Sequence, residues 1–195
     1  MKRQPSVASM LLLSAVLLGM NGVSFGDENE PGFFNRIFGG KAPGVAPVDN
    51  PQYLEECGSC HFPYQPGLLP ARSWTRVMAG LENHFGESAE LPLGDVQSIT
   101  GYLVKNAADD ANYRRSRKIM KSLLPGDAPI RVSETPYFVK KHNELSSKMV
   151  QENPKVASIS RCDACHTKAS TGSFSEREIV IPGFGAYEEN EEYGR

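Results

Sequence analysis

The placement of the four cysteines constrains the fold of this chain more than any other feature of its sequence. All four fall into two copies of one pattern, in which two cysteines are separated by two residues and followed directly by histidine. The copies are CGSCH at residues 57–61 and CDACH at residues 162–166. Each copy must bring two thiols and an imidazole to one tight turn, so the rest of the chain has to fold around two such turns.

The C-x-x-C-H pattern is the attachment motif of a c-type haem. Two thiols on one turn can reach the two vinyl groups at a porphyrin edge, while the imidazole that follows approaches the iron from one face. Two motifs therefore predict two covalently bound haem c groups. The predicted attachment residues are Cys57, Cys60, Cys162 and Cys165, and the predicted first axial ligands are His61 and His166.

Paired cysteines have other uses besides haem attachment. Two C-x-x-C pairs can bind zinc through four thiolates, and either pair alone could form a disulfide or a thioredoxin-like redox site. Zinc explains the cysteines but not why a histidine follows each pair. A thioredoxin-like site calls for a preceding strand and a single copy, and neither is evident in the sequence.

The N-terminus has the charged, apolar and small-residue order of a secretory signal peptide. Lys2 and Arg3 precede an apolar run of 13 residues at 8–20, whereas a membrane-spanning helix needs about 20 residues. We expect residues 1–26 to be cleaved after Gly26, which predicts export to the periplasm and a mature form with no membrane span. An uncleaved N-terminal tether is the alternative.

Composition argues against nucleic-acid binding and indicates a small hydrophobic core of side chains. The net charge is −2, and removal of the basic signal peptide makes it more negative, so no electrostatic surface for nucleic acid is expected. The chain has 18 glycines and 14 prolines, and its aliphatic runs are short. One domain or two small lobes fit this length, with the haems filling much of the core.

The pattern of caps and apolar spacings predicts a mainly α, loop-rich fold with little sheet. Residues 27–50 lack apolar periodicity and are predicted to be a flexible linker, with ordered structure starting near Asn50. Asn50 and Pro51 form a cap and first helical position, as do Thr135 and Pro136, whose helix should reach about residue 150. Further helices are predicted from Ser73 to Gly86 and over residues 93–107, 113–124 and 162–166, and an acidic tail over residues 184–195.

Two histidines outside the motifs are candidates for the second axial position of each iron. His84 and His142 fall on the apolar faces of predicted helices, where a lone histidine is ordinarily a packed core residue. Two irons that each lack a sixth ligand make metal ligation the better interpretation. We therefore predict His61, His84, His142 and His166 as the iron ligands.

The pairing of these histidines follows from their order along the chain. Residues 167–195 contain no His, Met or Cys, so the ligand of the second haem must precede its motif, which favours His142. Met149 shares the predicted helix face of His142 and is the alternative ligand. His84 is assigned to the first haem because the short proline-rich loop after His61 can close at low entropic cost. Crossed pairing is the other possibility.

Four segments of the sequence together resemble the bacterial dihaem cytochrome c family. The segments are YLEECGSCHFPYQPGLLPARSW, MAGLENHFGESA, TPYFVKKHNEL and RCDACHTKASTGSFSEREIVIPG, and the resemblance covers residues 52–183. It implies bis-histidine irons, a first haem lobe at residues 51–112 similar to a class I cytochrome c, and a less regular second haem lobe at residues 113–183. It also implies a redox partner, either a small periplasmic cytochrome or a membrane b-type cytochrome.

The resemblance implies an electron carrier with no enzymatic activity of its own, because a six-coordinate iron offers no position to a substrate. One alternative is a dihaem peroxidase, which needs an open iron position and usually a much longer chain. Another is the dihaem subunit of a periplasmic reductase. In that class the two motifs lie much closer together than the 105 residues that separate Cys57 from Cys162 here.

Overall fold

Short helices joined by loops form most of the chain in a computed structural model that describes residues 43–187. The six α-helices of this range are α1 (Pro51–Glu56), α2 (Ala71–Met78), α3 (Leu93–Lys105), α4 (Arg114–Ser122), α5 (Pro136–Lys141) and α6 (Cys162–Cys165). Two two-residue strands, β1 (Val180–Ile181) and β2 (Gly185–Ala186), pair antiparallel. The expectation of a mainly helical fold with little sheet is confirmed for this range, and the predicted signal peptide lies outside it.

Both predicted cap and proline pairs open helices. The Asn50 side chain accepts a hydrogen bond from the Tyr53 backbone N–H at 2.8 Å, and Pro51 is the first residue of α1. The Thr135 hydroxyl accepts from the Phe138 N–H at 3.3 Å at the start of α5. Each side chain satisfies a backbone donor that has no partner inside the helix.

Helices α2 and α3 pack around Tyr53 and form the first hydrophobic cluster. Its buried members are Tyr53, Leu69, Trp74, Met78, Leu81, Ile99, Leu103 and Ala107. The Trp74 indole N–H donates to the Pro66 carbonyl at 2.7 Å, so the buried ring has its polar atom satisfied. This cluster places α1, which leads into the first motif, against the loop and helix that follow that motif.

Two predicted helices end earlier than expected. The helix predicted from Ser73 to Gly86 ends at Met78 and is followed by a 3₁₀ turn at Leu81–Asn83. The helix predicted to reach residue 150 ends at Lys141. A side chain takes part in the last turn of this helix, because His142 Nδ1 forms a hydrogen bond of 2.8 Å with the Phe138 carbonyl oxygen. That carbonyl would otherwise accept from the backbone N–H four residues on.

The C-terminal part of the predicted linker belongs to the packed structure. Val45 is completely buried in a second cluster with Leu68, Ile119, Ala169 and Phe174. Its neighbour Gly44 donates its backbone N–H to the Gly172 carbonyl at 2.9 Å. Ordered structure therefore begins before Asn50, which corrects the expectation that residues 43–50 form a flexible linker.

The second cluster draws on residues far apart in the sequence. Val45 precedes the predicted first lobe, and Leu68 falls within it. The other three members, Ile119, Ala169 and Phe174, belong to the predicted second lobe. Two hydrogen bonds join the same regions, from the Gln65 amide to the Ala169 carbonyl and from the Tyr64 hydroxyl to the Ser160 carbonyl. The boundary between the two lobes stays a prediction.

At the C-terminal end of the described range, the chain turns back on itself. Strand β2 lies in the predicted acidic tail and pairs with β1. The Tyr187 hydroxyl donates to the Glu144 carboxylate at 2.6 Å. The first residues of that tail thus contact the rest of the chain, and its acidic run from residue 188 onward lies outside the described range. Between residues 43 and 187, no helix has the length and apolar character needed to span a bilayer.

Gly172 is expected to be sensitive to substitution because Val45 docks against it. It has a left-handed φ of +75°, and a Cβ there would lie 2.2 Å from the Val45 carbonyl oxygen. We expect Gly172→Ala to lower the free energy of unfolding by about 2–4 kcal/mol, from the strained backbone and the clash together. Urea unfolding of the haem-loaded protein measures this difference.

Gly183→Ala is the matched control for the Gly172 substitution. Gly183 also has a left-handed φ, +82°, but a Cβ there would meet no heavy atom within 4 Å beyond its chain neighbours. It should therefore lose only about 1–2 kcal/mol. Equal losses for the two variants would contradict the docking of Val45 on Gly172.

Candidate functional site

The first C-x-x-C-H motif begins where α1 ends. Cys57 caps the helix and donates its N–H to the Tyr53 carbonyl at 3.0 Å, and the Gly58 N–H donates to the Leu54 carbonyl at 3.1 Å. A Cβ on Gly58 would lie 2.3 Å from that Leu54 oxygen. The turn therefore needs glycine after the first cysteine, and it leaves Cys60 and His61 exposed to solvent.

The structure brings His84 beside the histidine of the first motif. The His61 and His84 ring centroids lie 6.1 Å apart, and the ring planes are within 13° of parallel. His84 is held by its backbone, since its N–H donates to the Glu87 carbonyl at 2.7 Å and its carbonyl accepts from Glu87 at 3.3 Å. His84 follows the 3₁₀ turn instead of lying on the α2 face, which corrects the predicted helical position.

The second motif forms α6. The His166 N–H donates to the Cys162 carbonyl at 2.8 Å, and His166 also forms an isolated β-bridge with Ile179. Cys162 packs against the second hydrophobic cluster. Backbone contacts on both sides thus fix the direction in which the second motif presents its thiols and its imidazole.

His142 lies opposite the histidine of the second motif. The His142 and His166 ring centroids are 6.1 Å apart, with an angle of 73° between the planes. The His142 ring stacks on Phe138 at 3.7 Å and 13°, and the His166 ring meets Phe174 edge to face at 5.2 Å. His142 is the residue that ends α5, so it too sits just past a helix and not on the extended helical stripe that was predicted.

A cavity of about 320 Å³ contains the second pair of histidines. Its volume lies at the lower end of the range of small-molecule and cofactor sites. Cys162, Cys165, His142 and His166 line it, among mostly apolar neighbours such as Leu68, Ile119 and Phe174. Leu145 and Val150 reach this lining, whereas Met149 does not.

The residues present fit a haem at this cavity. The Nδ1 atom of His166 is buried and has no hydrogen-bond partner within the described part of the chain. Two thiols lie beside it on α6, and a second imidazole faces it. When two imidazoles share one metal ion at a metal–nitrogen distance of about 2 Å, their ring centroids lie about 6 Å apart. Both histidine pairs have this separation.

Three of the four imidazoles are in the protonation state that metal binding requires. Burial is the largest cause that lowers the pKa of His84, of His142 and of His166, and it brings the pKa of His166 to about 4. These three rings are therefore neutral at neutral pH. In His61 and His142 the Nδ1 atom lies 2.8 Å from a backbone carbonyl, of Phe62 and Phe138 respectively. An Nδ1–H donated to that carbonyl leaves the Nε2 lone pair for the metal.

Three of the four cysteines differ from the low-pKa cysteine of a redox pair. Burial is the main cause that raises the pKa of Cys57 to about 11 and that of Cys162 to about 12, and it also raises the pKa of Cys165. These thiols are therefore protonated at neutral pH, unlike the thiolate of a reactive thioredoxin-type cysteine. Across residues 43–187, no three or more His, Cys, Asp or Glu side chains gather as a metal-binding group, so the two motifs do not combine into one four-cysteine site.

One residue near the second site could not be singled out from the sequence. The Arg115 side chain lines the same cavity as His142 and His166, although it belongs to a strongly basic helix. Its only signal in the sequence is its position four residues before Ile119, which places both on one face of α4.

Comparisons with known proteins agree with the two-motif arrangement. A sequence profile described as "Dihaem cytochrome c" matches residues 53–174. A dihaem cytochrome type c from Shewanella baltica OS155, solved by X-ray crystallography, is 40% identical, with a TM-score of 0.59 over 71% of this chain and 98% of that chain. A dihaem cytochrome c from Rhodobacter sphaeroides is 45% identical, with a TM-score of 0.60 over 67% of this chain and 100% of that chain.

A second structure from Rhodobacter sphaeroides, of DHC, is 44% identical with a TM-score of 0.52. It covers 65% of this chain and 98% of that chain. No match was found among curated proteins. The resemblance stated from the sequence is thus confirmed over more than half of the chain, and this protein, with two covalently bound haem c groups, belongs to the dihaem cytochrome c family.

Proposed function

We propose that this protein is a periplasmic electron carrier in which each haem is held between two histidines. His61 and His84 bind the iron of the first haem, and His142 and His166 bind that of the second. The observation that supports this most directly is the separation of 6.1 Å between ring centroids in both pairs. The same separations favour sequential pairing over crossed pairing, because each spare histidine faces the motif nearest to it in sequence.

The protein's own groups support a carrier in which the ligands stay in place. When bound, haem iron supplies a reversible one-electron change between the ferric and ferrous states. His84 is fixed by two backbone hydrogen bonds to Glu87, and His142 by its Nδ1 contact and by stacking on Phe138. Rings held in this way need little rearrangement when the iron changes its charge. With two histidines to hold each iron, no coordination position would be left for a substrate.

The proposed partners are other redox proteins, either a small periplasmic cytochrome or a membrane b-type cytochrome. The proposed arrangement assigns a haem lobe to each motif, with the haems forming much of the core. The two lobes would be joined by the packing of Leu68 with Ile119, Ala169 and Phe174 and by the hydrogen bond from Gln65 to Ala169. Export by the N-terminal signal would bring the protein to the compartment where such partners operate.

Carbon monoxide binding tests whether either iron has an open position. We expect the reduced, haem-loaded protein to keep its absorption spectrum under carbon monoxide, because two imidazoles occupy the axial positions of each iron. His84→Ala is the positive control, since it opens one axial position and should bind the gas at one haem. If the unmodified protein binds carbon monoxide or reacts rapidly with peroxide, a peroxidase-like enzyme becomes the better interpretation.

A further inference from the structure

Arg115 is a partly buried cation beside the second haem site. Its guanidinium donates to the Tyr137 hydroxyl at 2.9 Å and to the Phe174 carbonyl at 2.7 Å. The guanidinium carbon lies 5.4 Å from the Phe174 ring centroid and 5.8 Å from that of Tyr137. The Nε atom is buried and has no hydrogen-bond partner within the described residues. These contacts hold the charge in one position at the edge of the cavity.

No carboxylate of residues 43–187 forms an ion pair with Arg115. Glu176 is the acidic residue whose charge attracts that of Arg115, but the Glu176 carboxylate forms its ion pair with Lys141 at 2.7 Å. The other charged neighbour on α4 is Arg114, which has the same sign as Arg115. The positive charge of Arg115 is therefore not neutralised by a paired acid of the described residues, and its partial burial reduces screening by water.

The first site has a different arrangement of charge. Arg131 lies with its guanidinium carbon 3.8 Å from the Phe85 ring centroid, next to His84. Its side chain is 42% exposed, and its Nε lies 3.4 Å from the Glu134 carboxylate. Both the paired acid and the surrounding water reduce its field. The two arginines thus differ in how strongly a paired acid and water reduce the field of their charge.

We propose that Arg115 raises the reduction potential of the haem attached at Cys162 and Cys165, so that this haem holds the electron in the singly reduced protein. The proposal rests on the proposed pair of bis-histidine haems. A fixed positive charge destabilises the ferric state, which carries one more positive charge than the ferrous state, and the effect grows in a low-dielectric environment.

The geometry indicates the reach of this charge. The Phe174 ring centroid lies 5.4 Å from the Arg115 guanidinium carbon, and the same ring meets the His166 ring at 5.2 Å. Arg115, His142 and His166 also line one cavity. Arg115 would act through the field of its charge, so we regard it as a tuning residue and not as a ligand.

A spectroelectrochemical titration of the haem-loaded protein tests the proposal. The unmodified protein should show two one-electron waves. In Arg115→Gln the wave at higher potential should move so that, at a fixed potential, the ferrous-to-ferric ratio of that haem falls about tenfold, which corresponds to about 59 mV. The lower wave should move less, and Arg115→Lys, which keeps the charge, should stay close to the unmodified protein.

Arg117→Gln is the control for loss of charge alone. Arg117 lies on the same helix but is exposed, so its removal should leave both waves nearly unchanged. The proposal is overturned if Arg115→Gln moves neither wave, moves mainly the lower one, or shifts potentials only as much as Arg115→Lys does. Arg115→Met, which keeps the apolar part of the side chain, provides the same comparison if the glutamine variant does not take up haem.

The oxidised spectrum separates failure of this inference from failure of the proposed function. A high-spin iron in the unmodified protein contradicts bis-histidine ligation itself. Two low-spin haems whose potentials do not respond to Arg115 contradict only the assigned role of this residue.

Discussion

Replacing both Cys162 and Cys165 by serine is expected to produce a protein that carries one haem instead of two. Serine keeps the size and turn geometry of α6 but cannot form the thioether bonds to the porphyrin. Mass spectrometry under denaturing conditions, on protein produced in a host that attaches haem, measures this directly. Cys162 packs against the second hydrophobic cluster, so a haem attached to Cys162 would lie next to that cluster. Loss of the second haem should therefore also lower the stability of the protein.

The matched variant is Cys57→Ser with Cys60→Ser. It should retain only the haem at the second motif, so the two double variants should have equal masses of bound haem but different spectra. A mass that shows zinc, or a disulfide in place of haem in the unmodified protein, would be incompatible with the two attachment sites.

Replacing His142 by alanine should leave the second haem five-coordinate and high-spin while the first haem stays low-spin. His142 is the imidazole that faces His166 at 6.1 Å between ring centroids, and alanine cannot reach across that gap. Electron paramagnetic resonance of the oxidised protein should show one high-spin and one low-spin ferric iron. The reduced variant should also bind carbon monoxide at one haem.

Met149→Leu is the control that separates the two candidate ligands. Because Met149 is not part of the lining of the cavity, this variant should keep both haems low-spin. His84→Ala should give the reciprocal result, with the first haem high-spin. The assignment fails if His142→Ala keeps two six-coordinate irons, or if the oxidised spectrum contains a thioether-to-iron charge-transfer band.

Local chemistry explains the parts of the fold that were predicted correctly. Asn50 with Pro51 and Thr135 with Pro136 start helices because a side-chain oxygen and a residue without an N–H satisfy needs that arise within a few residues of sequence. Helix α3 begins at Leu93, as its apolar spacing predicted. Interactions between residues close in sequence are the same in most folds, so the sequence predicts them well.

The ends of α2 and α5 show where apolar spacing misleads. The stripe of Phe138, His142 and Leu145 is compatible with one long helix, but the His142 side chain takes the Phe138 carbonyl and the chain turns. Phe85 leaves the predicted α2 stripe with a left-handed φ of 60°. In both cases the histidine lies just past a helix that is shorter than predicted, beside the histidine of a C-x-x-C-H motif.

The sequence by itself determined the family, the two covalently bound haems and the four histidines that are candidate ligands, because these follow from residue types at fixed short spacings. Only the tertiary structure decided that His84 faces His61 and His142 faces His166, that Val45 is buried in the second cluster, and that Arg115 lines the second site. Those features depend on contacts between residues distant in sequence. A pattern read along the chain contains the residues of such contacts, but it does not contain the distances between them.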